Sequence, residues 1–185
     1  MSSTLSMIYL GNAFFLNTTM LNLTSFPTTT ATYDSNSSEI ETACNDYTFV
    51  PDFGGYKFHC QAKTWNDARL ECKREGGHLV VINSVEEAYV ITQLFNASRS
   101  GIVDAVYTTY AFVGIHDMFE DGQFVTLDGK TLEEAGYNEW AAGEPNNFRN
   151  QPENCGAIKL DGKLNDTQCH LKFAFICECI TASTS

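Results

Sequence analysis

Apolar residues recur along this chain at two spacings, and the changes between them mark its elements. Tyr47-Thr48-Phe49-Val50 and Tyr56-Lys57-Phe58-His59-Cys60 are aromatic and β-branched and predict short strands, with Pro51-Asp52-Phe53-Gly54-Gly55 turning the chain between them. Trp65, Ala68 and Cys72 then recur at helical spacing. Thr64 is placed to cap that helix, with Asp67 three residues on, and Gly76-Gly77 ends it. Leu79-Val80-Val81-Ile82 predicts a short buried strand. Ser84-Val85-Glu86-Glu87 has the form of a capping box for a second helix, whose apolar face is Ala88, Ile91 and Phe95. Residues 96–107 read as surface loop.

Further along, Tyr110-Ala111-Phe112-Val113-Gly114-Ile115 predicts a strand, Asp117 to Gly122 a sharp turn, and Gln123-Phe124-Val125-Thr126 another strand. From Leu127 to Gln151 the chain is turn-rich and polar. A loop of that length inside a compact domain is usually functional. Strand patterns return at Cys155-Gly156-Ala157-Ile158-Lys159-Leu160 and at Phe173-Ala174-Phe175-Ile176-Cys177, with a turn at Asp161-Gly162. Two early helices and short strands around one long polar loop make an α+β domain.

The pattern also sets the domain limits. No Lys or Arg occurs before Lys57, and residues 17–43 are rich in Thr, Ser and Asn, a composition that cannot pack a core. Residues 5–16 have the length of a signal h-region, although no Lys or Arg precedes them, and Asn12 and Asn17 interrupt any continuous membrane span. We therefore read 1–43 as a signal segment and linker, with a signal anchor as the alternative, 44–180 as the domain and 181–185 as a short tail.

Composition narrows the function. The formal net charge is −12, which argues against nucleic acid or an anionic membrane as partner, since both need a basic face. It is compatible with cation binding. Seven cysteines are present, none in a Cys-x-x-Cys pair, which weakens zinc and thioredoxin-like readings. Sequons begin at Asn17, Asn22, Asn36, Asn96 and Asn165. Together with dispersed cysteines they point to the oxidising, extracellular route, so the protein is expected to be secreted. The odd cysteine count leaves at least one thiol free or paired between chains.

The long loop holds Glu144-Pro145-Asn146-Asn147 and Glu153-Asn154-Cys155, and Leu164-Asn165-Asp166 lies downstream. Glu144, Asn146, Glu153, Asn165 and Asp166 are all hard oxygen donors of the kind calcium takes, and mixing amides with acids leaves weaker positions that a polyol can fill. A cis Glu144–Pro145 bond would point both flanking side chains the same way. The competing reading of these residues is a polar loop with turn formers.

These segments, taken in order, resemble the C-type lectin family. Trp65 and Cys72 on the first helix, Gly77-His78-Leu79, Phe112-Val113-Gly114-Ile115, Glu144-Pro145-Asn146, Glu153 two residues before Cys155, Asn165-Asp166, Cys169 and Cys177 carry the resemblance over about three-quarters of the chain. It implies the C-type lectin fold, with two helices flanking small antiparallel sheets. It also implies a single Ca2+ held by Glu144, Asn146, Glu153, Asn165 and Asp166, with vicinal sugar hydroxyls bonded to the ion and to the same side chains, Glu144, Asn146, Glu153 and Asn165. The Glu-Pro-Asn order resembles mannose-, N-acetylglucosamine- and fucose-type binders: the acid accepts and the amide donates. Segments such as Tyr56-Lys57-Phe58-His59 and Thr64-Trp65-Asn66-Asp67-Ala68-Arg69 resemble secreted arthropod haemolymph lectins that bind bacterial lipopolysaccharide, which implies recognition of microbial glycans in innate immunity.

The resemblance implies the disulfides Cys72–Cys177 and Cys155–Cys169. Because family folds bring the chain ends together, it extends to Cys44–Cys179, leaving Cys60 spare. Departures from the family pattern are Leu164 and Phe112 in place of Trp, and a Glu144–Glu153 stretch longer by one residue. A glycan on Asn165 would compete with calcium, so that sequon is expected to be unmodified. Asp117 and Asp121 match part of an auxiliary calcium site of some relatives, but Asn147 and Asn154 stand where those relatives often carry acids, so a second ion is expected to bind weakly or not at all. The four histidines, His59, His78, His116 and His170, read as packed or solvated side chains. Single lectin sites are shallow, and a homo-oligomer is the expected source of avidity. The competing functions are a lectin-like fold used for protein contacts without sugar, and a glycosidase using Glu144 and Glu153. The second lacks a supporting nucleophile–base arrangement, and no enzymatic activity is expected.

Overall fold

A computed structural model describes residues 46–148 and 151–179. The expectations for segments 1–43 and 181–185, for Cys44 and for the sequons at Asn17, Asn22 and Asn36 lie outside the described residues. The chain runs through strand β1 (Thr48–Val50), strand β2 (Gly54–Lys63), helix α1 (Trp65–Arg74), strand β3 (His78–Leu79), helix α2 (Val85–Ser98), a 3-10 turn (Arg99–Gly101), strand β4 (Tyr110–His116), strand β5 (Val125–Thr126), helix α3 (Leu132–Ala135), strand β6 (Cys155–Lys159), strand β7 (Leu164–Thr167) and strand β8 (Phe173–Cys179).

Local chemistry starts α1. Thr64 accepts from the Asp67 N–H and satisfies one of the donors left open at a helix start. Trp65, Ala68 and Cys72 form its buried stripe. Gly76 takes φ +85° to stop it. Gly77 follows so close to the Glu178 carbonyl that any side chain would collide with it. The Trp65 indole donates to the Val113 carbonyl at 2.9 Å, which fastens α1 to β4.

Ser84 caps α2 as expected, accepting from Glu87 N–H at 3.1 Å. The reciprocal arm of the capping box differs. Glu87 turns inward, is fully buried, and accepts from Asn83 N–H at 2.7 Å and from the Tyr56 hydroxyl. Tyr56 is itself buried and needs an acceptor, and this demand outweighs the local box. The strand expected over 79–82 shortens to His78–Leu79. Val80 instead bridges two strands, donating to Ile176 at 2.9 Å and accepting from Gly114 at 2.7 Å. The loop expected at 96–107 begins later, because α2 continues to Ser98. The strand expected at 123–126 is only Val125–Thr126.

Among the described residues the strands join in one sheet of order β1-β2-β8-β4-β6-β7, with β3 on β8 and β5 on β4. All pairs are antiparallel except β4 with β8. That parallel contact unites the small antiparallel pairings. The helices of the first half cover the sheet through two apolar clusters, one around Tyr56, Phe95, Ile158 and Ile176, the other around Trp65, Phe112, Phe173 and Phe175. Cys72 is bonded to Cys177, tying α1 to β8, and Cys155 to Cys169. Cys60 is a free thiol. Cys179 also takes part in a disulfide; Cys44, its expected partner, lies outside the described residues. No helix among the described residues is long and apolar enough to cross a membrane.

Candidate functional site

Two stretches of chain bring the oxygen donors together. The first is the loop between α3 and β6, in which the Glu144–Pro145 bond is cis. The second is β7, held against β6 with Gly156 opposite Asp166 and Cys155 opposite Thr167, and closed by the Cys155–Cys169 bond. α3 lies within the long polar loop and was not expected. Its signal was present as Thr131-x-x-Glu134, a full capping box in the structure.

Asp166, only 1% exposed, fastens the loop to β7. Its Oδ2 accepts the N–H groups of Asn146 at 2.9 Å and Asn147 at 2.8 Å. Glu153 closes the loop on itself: its Oε2 accepts from Phe148 N–H at 2.7 Å, and its own N–H donates to Asn147 Oδ1 at 2.7 Å. Asn165 turns its side-chain amide onto the Asp166 carbonyl. Thus the charges of Asp166 and Glu153 both act on Glu144, Asn165 adjoins Asp166 on β7, and Asn146 is anchored through its backbone.

The arrangement is electrostatically uncomfortable. Burial, and then the nearness of the Asp166 carboxylate and the charge of Glu153, push Glu144 up to about 7. Burial also pushes Glu153 up; the Phe148 N–H opposes this and the Asp166 charge adds to it. Two carboxylate oxygens, Glu144 Oε2 and Asp166 Oδ1, are buried and accept no hydrogen bond. A buried acceptor without a partner costs free energy, and a buried carboxylate more so. Oxygens left open in this way are the hard donors that a divalent cation such as calcium takes, although among the described residues three ligand-type atoms come within 4.8 Å of one another only at His59, Glu75 and Cys177.

A second set of contacts lies beside these residues. Asp117, 2% exposed, accepts from Gly122 N–H at 2.7 Å through Oδ2 and from Asn154 Nδ2 at 2.9 Å through Oδ1. Asp121 Oδ1 accepts from Asn147 Nδ2 at 2.6 Å. Both acids considered for an auxiliary ion therefore have amide donors in place. An open cleft of ≈ 510 Å³ runs along these residues, walled also by Phe119, at 88% exposure, and Pro152. Asn147 is the residue whose importance spacing did not reveal: it takes part in three of the bonds just described from a left-handed backbone of φ +46°, which asparagine tolerates.

His59, Glu75 and Cys177 place ligand-type atoms within 4.8 Å of one another. Cys177 is in a disulfide and cannot ligate, while His59 stacks on Phe175 at 4.3 Å and pairs with Glu75 at 3.1 Å. This is packing. His116 is likewise enclosed, edge-on to Trp65 and Phe119.

Comparison with known proteins places this architecture. The family model "Lectin C-type domain" matches residues 61–179. A haemolymph lipopolysaccharide-binding protein of Periplaneta americana is 44% identical over 126 residues, covering 68% of this chain and 48% of that protein. The chain spans about half the length, or less, of several of the curated relatives it matches. Among solved structures, the carbohydrate-recognition domain of the mouse scavenger receptor C-type lectin is 29% identical with a TM-score of 0.59, covering 71% of this chain and 93% of that one. The cow CD23 carbohydrate-recognition domain, crystallised in the presence of a GlcNAc2Man3 oligosaccharide, is 28% identical with a TM-score of 0.58, covering 72% and 97%. With a family model spanning well over half of its length, the chain belongs to the C-type lectin domain family.

Proposed function

We propose that this lectin domain binds glycans through one calcium ion held by Glu144, Asn146, Glu153, Asn165 and Asp166, with a preference for mannose-type sugars. The observation that carries the reading is the pair of buried oxygens, Glu144 Oε2 and Asp166 Oδ1, that no N–H or other donor reaches, near enough to each other and to Glu153 for their charges to oppose one another. A calcium ion so held supplies positions at which two neighbouring sugar hydroxyls can coordinate. Glu144 accepts hydrogen bonds from a hydroxyl, and the Asn146 amide donates to one, so the order acid–Pro–amide favours the hydroxyl arrangement of mannose, N-acetylglucosamine and fucose. Asp166 holds both loop amides and keeps the arrangement in register.

The natural ligand in this reading is a microbial surface glycan, recognised outside the cell in innate immunity. The cockroach relative, a lipopolysaccharide-binding protein by name, supports that choice. So do the disulfides, which suit an oxidising compartment. With a net charge of −12, the protein holds lipopolysaccharide by its sugars and not by attraction to its phosphates. Assembly into a homo-oligomer supplies avidity that one shallow site lacks.

Retention on mannan-agarose in millimolar calcium tests the reading. Elution by EDTA, no retention on galactose resin, and loss of binding in Asn146→Ala are expected. A folded protein that passes through both resins overturns it and favours a protein-contact role, and retention that persists in EDTA overturns the calcium reading.

A further inference from the structure

The geometry points to Asn147 as the positioning residue of the binding loop: its side-chain amide, with that of Asn154, braces the loop against the Asp117–Gly122 turn, so that the loop keeps its shape without a cation in that position. Three polar groups of Asn147 are engaged, its N–H and both side-chain groups, and each reaches a different segment. Its N–H goes to Asp166 on β7 at 2.8 Å, its Oδ1 takes the Glu153 N–H at 2.7 Å, and its Nδ2 goes to Asp121 on the turn at 2.6 Å. Asn154 repeats the turn contact at depth, donating to the buried Asp117 at 2.9 Å, while the Asp117 N–H returns to the Asn154 carbonyl at 3.2 Å.

The chemistry depends on the amide. A carboxylate at 147 keeps the acceptor for Glu153 but loses the Nδ2 donor and faces Asp121 with like charge. An amide donates to Asp121 and adds no charge to a neighbourhood that already holds Asp117, Glu120 and Asp121. Residues 147, 148, 153 and 154 are thus held before any ion arrives, which lowers the ordering cost of binding. The consequence for sugar binding rests on the function proposed above; the brace itself is tested without sugar and without calcium.

Amide hydrogen exchange of the full chain in EDTA, read residue by residue, is the test. The informative amides are those of residue 147 and Phe148, because their acceptors, Asp166 and Glu153, are untouched by the substitutions. Slow exchange is expected in the wild type. Asn147→Asp should speed both amides about tenfold, with β8 amides unchanged. The swap Asp121→Asn with Asn147→Asp, which reverses donor and acceptor, should restore slow exchange. Asp121→Ala, on the exposed turn, removes only the acceptor and should speed them several-fold; it decides the matter alone if Asn147→Asp does not fold. Wild-type protection in Asn147→Asp or Asp121→Ala, no rescue by the swap, or fast exchange in the wild type overturns the brace. Mannan retention in calcium is measured separately, so failure of the brace and failure of the lectin reading remain distinguishable.

Discussion

Asp166 Oδ2 accepts the main-chain N–H of Asn146 at 2.9 Å across a gap of 20 residues, while its other oxygen is buried with no partner. One carboxylate thus holds the loop and leaves an oxygen open toward the acids around it. Asp166→Asn keeps the shape but removes charge and an acceptor. Calcium affinity should fall on the order of a hundredfold, since ligand charge count sets affinity at such sites. Calorimetric titration checks this, and circular dichroism should show the fold intact.

The Cys155–Cys169 bond closes a short loop, with a sequence separation of 14, at the end of the β6–β7 pair that carries Asp166 and begins two residues after Glu153. Replacing both cysteines with serine should cost about 3 kcal/mol by the chain-entropy estimate. It should also weaken calcium binding, because the two acids lose their common frame. Urea unfolding in EDTA reads the first effect and calcium titration the second.

Tyr56 gives its hydroxyl to the fully buried Glu87. Tyr56→Phe leaves that carboxylate one donor short, retaining Asn83 N–H. A hydrogen bond to a charged group contributes about 1.5–3 kcal/mol, and urea unfolding should show a loss of that order.

Glu178, 3% exposed, is pushed up to about 7 by burial first and the charge of Glu87 second, against the opposing charge of His78 and the Val81 N–H. The folded protein therefore holds this proton to a higher pH than the unfolded chain, whose carboxyl titrates near 4.5. The associated stability is fully present below about 4.5 and is lost as pH rises to about 7. Thermal melts of Glu178→Gln and wild type in calcium-free buffer should diverge across that window in favour of the variant. Parallel melting curves at every pH would contradict it.

Much of the fold is legible in the sequence because it is encoded over three or four residues. Thr64 with Asp67 and Ser84 with Glu87 mark helix starts by cap geometry, and the spacings of Trp65, Ala68 and Cys72, and of Ala88, Ile91 and Phe95, name the buried faces. The oxygen donors Glu144, Asn146, Glu153, Asn165 and Asp166 are legible as a set through residue chemistry and resemblance. The sequence by itself therefore determined the α+β class, the starts of α1 and α2 and the donors available for a cation.

What only the tertiary structure decided concerns which distant group satisfies which. Glu87 leaves the capping box because buried Tyr56, 31 residues away, needs its oxygen. Val80 gives up a regular strand to bridge Ile176 and Gly114, and Glu178 accepts from Val81 across 97 residues. Asn147 reads as a turn former until Asp121, Glu153 and Asp166 are seen around it. Such choices are set by burial, which turns every unmet donor or acceptor into a cost that the nearest group in space must remove, and nearness in space is not written in spacing.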